Sequence, residues 1–160
     1  MYTSPSSQIM TPHTIVSRIC TEFDGLMPRN SWGETSLFYN PQQVLPNGIY
    51  FCTIKEKDGD NDKASQLTRE GVFRLAIGLP RTTYTGLFGP CPSRPEKGGI
   101  VSTGHDFTRL NELSPHPIYA WMGWVQILSP TEETFAQILP LLKEAHTASV
   151  EKFRKKTARK

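Results

Sequence analysis

Apolar residues early in the chain recur three and four positions apart, at Ile15, Val16, Ile19, Cys20 and Phe23. That spacing puts them on one face of a helix. Thr11-Pro12 supplies the start, a capping hydroxyl followed by a residue whose missing N–H is not needed there, and Gly25 supplies the stop. Met27-Pro28-Arg29-Asn30 then reads as a turn. Residues 32–39 read as a strand closed by Asn40-Pro41. Residues 48–57 alternate, with Tyr50, Cys52 and Ile54 on one face and Phe51, Thr53 and Lys55 on the other. Two strands joined by a Pro/Asn/Gly loop predict an antiparallel pair. Residues 71–78 make a third strand, with Phe73, Leu75 and Ile77 on one side and Arg74 among small residues on the other.

Pro80 opens a short helix whose apolar side is Tyr84, Leu87 and Phe88, ended by Gly89-Pro90. Residues 90–104 form a long Pro/Gly/Ser-rich loop, and 108–113 a short helical turn carrying Leu110 and Leu113. The densest stretch follows Pro115-His116-Pro117. Residues 118–128 alternate as a strand, with Trp121, Val125 and Ile127 on one face and Met122, Trp124 and Gln126 on the other, and are expected to be the central strand under the last helix. On that pattern at least one of Trp121 and Trp124 belongs to the core. Ser129 with Glu132 three residues on makes a capping box. The helix behind it presents Phe135, Ile138, Leu142 and Ala145, is bent or restarted at Pro140, and runs past Phe153. The prediction is an α+β domain, a mostly antiparallel sheet with an N-terminal and a long C-terminal helix packed on it. Residues 1–10 are expected to be a disordered N-terminal segment, 11–153 the domain and 154–160 a basic tail.

Charge narrows the function classes. Residues 151–160 hold six basic side chains against Glu151 alone, a net +5 of the chain's +3, so residues 1–150 are net −2. A slightly acidic body is a poor nucleic-acid platform, and the tail reads first as a solvated helix end. No apolar run approaches the roughly 20 residues that span a bilayer, and residues 1–10 lack a secretory pattern, so a cytoplasmic protein without a membrane partner is expected. Cys20, Cys52 and Cys91 are odd in number and widely spaced, which predicts free thiols, with Cys20 and Cys52 in the core. The acidic residues of Asp58-Gly59-Asp60-Asn61-Asp62 resemble the start of a calcium loop. Lys63 and Arg69 stand where that loop needs its glycine and its bidentate glutamate, so the segment reads as a solvated connection. Lys97-Gly98-Gly99 lacks the remainder of a nucleotide phosphate loop.

Trp32-Gly33-Glu34 leading to Phe38-Tyr39-Asn40-Pro41, with Gly71-Val72-Phe73-Arg74-Leu75, Leu87-Phe88-Gly89-Pro90, Thr103-Gly104-His105-Asp106-Phe107 and His116-Pro117-Ile118-Tyr119, resembles the domain-of-unknown-function family 6194 over roughly residues 11–153. The order of elements is also similar to the MmcQ/YjbR-like fold group. That second resemblance implies nucleic-acid contact by fold analogy alone. The first implies no activity.

The candidate chemistry comes from the residues. His105, Asp106, His116 and Glu34 are the candidate catalytic groups: a histidine and a carboxylate beside aromatic walls can move protons on a bound organic molecule without a cofactor. Tyr119, Trp32, Trp121, Arg74 and Tyr39 are the candidate ligand contacts, with residues 90–104 as a lid. Each has a structural reading as well. His105-Asp106 can cap the turn before Leu110, His116 can fix the Pro-His-Pro corner, and Arg74 can pair with a neighbouring carboxylate. No metal is expected, because no close His spacing supports one. The expected function is binding of a small organic molecule, with acid–base chemistry as its catalytic form. The alternative is a non-catalytic protein- or nucleic-acid-interaction module.

Overall fold

The computed structural model describes residues 8–31 and 33–158. Helix α1 spans Pro12–Glu22, and the Thr11 hydroxyl accepts from the Thr14 N–H at 3.1 Å, as its sequence predicts. Six antiparallel strands follow in one sheet: β1 (Leu26–Ser31), β2 (Glu34–Tyr39), β3 (Ile49–Lys55), β4 (Arg74–Gly78), β5 (Ser114–Pro115) and β6 (Trp124–Leu128), in the spatial order β1-β2-β3-β4-β6-β5. Helix α2 (Arg81–Phe88) follows β4, and helix α3 (Glu132–Ala158) closes the chain. The α+β class is as expected.

The register sorts the side chains by face. Leu37, Cys52, Ile77 and Val125 lie opposite one another across β2, β3, β4 and β6, and all four are fully buried. With Leu75 and Ile127 they form the apolar face, on which Ile15 and Ile19 of α1 and Phe135, Ile138 and Leu142 of α3 complete the core. Each such side chain contributes roughly 1.5–3 kcal/mol of burial. The other face is polar. One rung runs Ser36, Thr53, Ala76, Gln126, and the next runs Glu34, Lys55, Arg74.

A register shift breaks the alternation of β3. Leu37 pairs with Cys52 but Phe38 pairs with Tyr50, so Phe51 is an extra residue and parity reverses beyond it. Tyr50, expected beside Cys52 and Ile54, instead shares the polar face with Thr53 and Lys55, while Phe51 is buried in the core.

Several other expectations are overturned. Met27-Pro28-Arg29-Asn30 is strand β1, which tolerates Pro28 because it is an edge. Residues 108–113 are not helical, and Leu110 bridges to Leu128. Residues 118–122 leave the strand for a 3-10 turn, Ala120–Met122, ended by Gly123 at φ 94°. Only Trp124–Leu128 is strand, and β6 lies towards one side of the sheet, with β3 and β4 central. The cap of α3 is Thr131, whose hydroxyl accepts from the Thr134 N–H at 3.2 Å. Ser129 instead accepts from the Phe73 N–H and donates to the Gly71 carbonyl, tying the start of β4 to the end of β6. Helix α3 passes Pro140 as one element and reaches Ala158, so residues 154–158 continue it.

At the N-terminus, residues 1–7 lie outside the described residues. The remainder of the expected tail is part of the domain: Ile9 bridges to Thr131 and Met10 is buried in the core. The three cysteines are free thiols; Cys52 is in the core and Cys20 half-buried against it. No helix among the described residues is long and apolar enough to cross a membrane.

Candidate functional site

The rung Glu34, Lys55, Arg74 puts three charged side chains side by side on the polar face. Arg74 is only 1% exposed, and its guanidinium has a fixed set of partners. It donates twice to Asp62, at 2.6 and 2.9 Å, and also to Gln126 Oε1 at 2.7 Å and Ser65 Oγ at 3.2 Å. A buried guanidinium needs this: its fork matches one carboxylate, and the remaining N–H groups require acceptors. Lys55 Nζ adds a second cation 3.3 Å from Asp62 Oδ2, so one carboxylate sits between two positive charges. Burial alone would push the Asp62 carboxyl up. The hydrogen bonds and charge of Arg74, with Lys55 adding to them, hold it down at about 2. Gln126 passes the network on to Ser114 Oγ and the Phe107 carbonyl. The acidic loop is therefore pinned to the sheet through Asp62, contrary to its reading as a solvated connection.

His116 stands beside this floor, 3% exposed. Its Nδ1 accepts from the backbone N–H of Ile118 at 3.1 Å and of Tyr119 at 3.2 Å, which locks the corner out of the Pro-His-Pro stretch. An Nδ1 that accepts two N–H groups carries no proton, so the ring is neutral and its proton is on Nε2. Burial, then the charge of Arg74, pushes the imidazole well below its usual range, with Asp62 opposing. Nε2 has no partner among the described residues. His116 is itself one of the residues that line the cavity over this floor.

The walls are aromatic. The Trp124 indole lies on Gly78, where even a Cβ would come within 2.9 Å of the ring, and Tyr50 meets it edge-on with centroids 6.2 Å apart. Tyr119 packs on His116 at 5.0 Å, and the Arg94 guanidinium covers the Trp121 ring at 4.7 Å. These groups surround an open cavity of about 730 Å³ over the polar face, closed on one side by Arg94–Gly99 and on another by Gly59–Asp62. It is within the range of small-molecule sites.

Of the residues selected from sequence, Glu34, His116, Tyr119 and Trp121 line this cavity and Arg74 lies beneath it. His105 and Asp106 do not line it. His105 is held by Thr103 Oγ1 at 2.9 Å and stacks edge-on against Phe88. Asp106 accepts from the N–H and hydroxyl of Thr108, an exposed turn cap. His105, Asp106 and Arg74 thus make the contacts of their structural readings, and the histidine–aspartate pair does not line the cavity. Tyr39 points to the opposite face, against His146 and Phe153 of α3. Trp32 lies outside the described residues. Trp121 and Trp124 are both half-buried cavity walls rather than core. Sequence reading missed Lys55, Asp62, Tyr50 and Trp124 as site residues. The acidic alternation around Asp62 was the visible signal, and the partner that gives it meaning is 12 residues away. Among the described residues no group of three or more His, Cys, Asp or Glu side chains is placed to hold a metal ion.

Fold and cavity together define an α+β protein with an antiparallel sheet, helices on its apolar face and an aromatic cavity on its polar face. The chain belongs to the family described as "Family of unknown function (DUF6194)", whose model matches residues 10–158. No match was found among curated proteins or among solved structures.

Proposed function

We propose that this protein binds a small organic molecule in the cavity on the polar face of its sheet. The observation that carries the reading is the combination of a cavity of about 730 Å³, aromatic walls and a buried polar floor. Residues 94–99, at the mouth, act as the lid. In the catalytic form of this reading Glu34 is the proton acceptor, and His116 is a fixed hydrogen-bond donor that polarises an oxygen of the substrate; with Nδ1 engaged by two backbone N–H groups, it does not serve as the base. His105 and Asp106 take no part. No cofactor is invoked, and three free thiols suit a reducing, cytoplasmic setting.

The test is a thermal-shift and tryptophan-fluorescence screen against a diverse set of small organic molecules, repeated on Trp121→Ala and Tyr50→Ala. Binding is expected to raise the melting temperature and alter tryptophan emission, with both effects weakened in the two variants. Hits that persist unchanged in both variants would place binding elsewhere, and a screen without hits would sink the proposal.

The alternative, an interaction module for nucleic acid, draws on the exposed Lys152, Arg154, Lys155 and Lys156 of the last turns of α3 and on the MmcQ/YjbR-like resemblance. It predicts salt-sensitive DNA retention that disappears on removal of residues 151–160.

A further inference from the structure

The cavity floor has an uneven hydrogen-bond inventory. Most of the acceptor capacity of Asp62 is already used, because Oδ1 takes one Arg74 N–H while Oδ2 takes another and also faces Lys55. Lys55 keeps two further ammonium N–H groups after that contact, on a side chain 17% exposed. His116 offers Nε2–H and nothing else, since its Nδ1 is consumed by the Ile118 and Tyr119 N–H groups. The Gln126 amide is saturated within the protein. Next to the aromatic walls, therefore, the part of the floor between Lys55 and His116 offers two donors, while the free carboxylate of the rung, Glu34, lines the cavity from β2. Glu34, across the β2–β3 ladder from Lys55, together with Asp62 balances the charges of Lys55 and Arg74, but it does not come within ion-pair distance of Lys55. Selection at this floor thus rests on directed N–H groups rather than on net charge. A ligand oxygen placed there completes both donors; a ligand N–H or ammonium leaves them unpaired, at a cost in affinity.

We propose that the cavity takes a planar aromatic molecule bearing a carboxylate, its ring between Tyr50, Tyr119 and Trp124 and its oxygens on Lys55 Nζ and His116 Nε2. This rests on the cavity being the binding site, as proposed above. One carboxylate oxygen receives the charge-assisted bond from Lys55 and the other the neutral bond from His116. Arg94, which covers Trp121 from the loop at the mouth, closes over the ring end of the ligand. His116 is a specificity determinant in this arrangement. Its proton stays on the ring, and it reads an acceptor because the corner allows it only one tautomer.

The experiment uses three probes with one ring system and different heads, 2-naphthoate, 2-naphthamide and 2-naphthylmethylamine, titrated into the full chain by calorimetry. The carboxylate is expected to bind tightest, by about tenfold or more over the amine, with the amide between them. Lys55→Met removes the charged donor and is expected to reduce the carboxylate's advantage over the amide about tenfold, while Lys55→Arg restores much of it. His116→Asn, whose side-chain oxygen can still accept the corner N–H groups, weakens carboxylate and amide alike. Circular dichroism and urea titration establish that each variant is folded.

Equal binding of carboxylate and amine, or an amine preference, overturns the carboxylate assignment. So does a screen in which unrelated organic molecules occupy the cavity while naphthoate does not, and in both cases the cavity remains the binding site. If no organic molecule binds at all, the broader reading falls with it.

Discussion

Replacing Asp62 by Asn removes the negative charge between Arg74 and Lys55 while keeping the volume of the side chain. The ionised carboxyl is held at about 2 in the folded protein, against its ordinary 3.8. That difference corresponds to about 2.5 kcal/mol of stabilisation at neutral pH. Asp62 is 12% exposed and Arg74 1%, so solvent screens the pair little. Removing one partner also leaves a buried guanidinium uncompensated, a situation that costs roughly 3–5 kcal/mol. Asp62→Asn is therefore expected to destabilise the fold by about 3 kcal/mol at pH 7, read by urea unfolding followed by tryptophan emission.

The pH dependence separates charge from shape. Because the folded carboxyl is more acidic than the unfolded one, its contribution is complete above 3.8 and is lost as pH falls through about 2. The gap between wild type and variant should shrink by about 1 kcal/mol at about pH 3. A cost below about 1 kcal/mol at pH 7, or a gap of the same size at both pH values, would refute the argument that the Arg74–Asp62 pair holds the loop to the sheet.

His116 predicts an acid sensitivity of the same sign that sets in at higher pH. Its folded imidazole resists protonation, so below the ordinary 6.5 the unfolded chain takes up a proton that the folded chain does not, and stability falls by up to about 1.4 kcal/mol per pH unit. His116→Asn should remove that slope, and parallel wild-type and variant curves between about pH 6.5 and 5 would count against a neutral buried ring. Gly123→Ala forces a side chain onto φ 94° with its Cβ 2.9 Å from the Leu79 carbonyl, and is expected to cost about 1–3 kcal/mol by urea unfolding. Gly78→Ala should displace the Trp124 ring, shifting tryptophan emission and weakening cavity ligands more than it weakens the fold; unchanged emission would show that the indole does not rest on that glycine. Thr131→Ala removes the cap of α3 and should cost about 1 kcal/mol, whereas a comparable loss on the helix itself from Ser129→Ala would restore the capping box read from sequence.

The elements with strong periodicity were legible along the chain. Ile15, Ile19 and Phe23 announce α1, Phe135, Ile138 and Leu142 announce α3, and the small, β-branched and apolar residues around Leu75 and Ile77 announce a buried strand. Errors came where a local rule was suspended by position in the sheet. Pro28 looked like a turn because sequence does not say that β1 is an edge, where a missing N–H is harmless. Tyr50 was assigned to the wrong face because one extra residue, Phe51, reverses parity, and a bulge leaves no periodic trace. Residues 118–122 alternate like a strand yet turn, because Gly123 adopts a left-handed conformation that the pattern of apolar residues does not encode.

By itself, then, the sequence determined the α+β class, the two flanking helices, the free thiols and the aromatic stretch after Pro117, all of which depend on spacing within a few residues. Only the tertiary structure decided which of the conspicuous polar groups meet. His105 and Asp106 are adjacent in sequence and remain outside the cavity. Lys55, Asp62, Arg74 and His116 come from four separate segments and share its floor, because the strand register and two loop corners bring them to one face. The physical reason is one of range. Helix and strand formation are set by neighbours three or four residues apart at most, whereas a site is built from contacts across the sheet, whose partners are chosen by the burial of the opposite, apolar face.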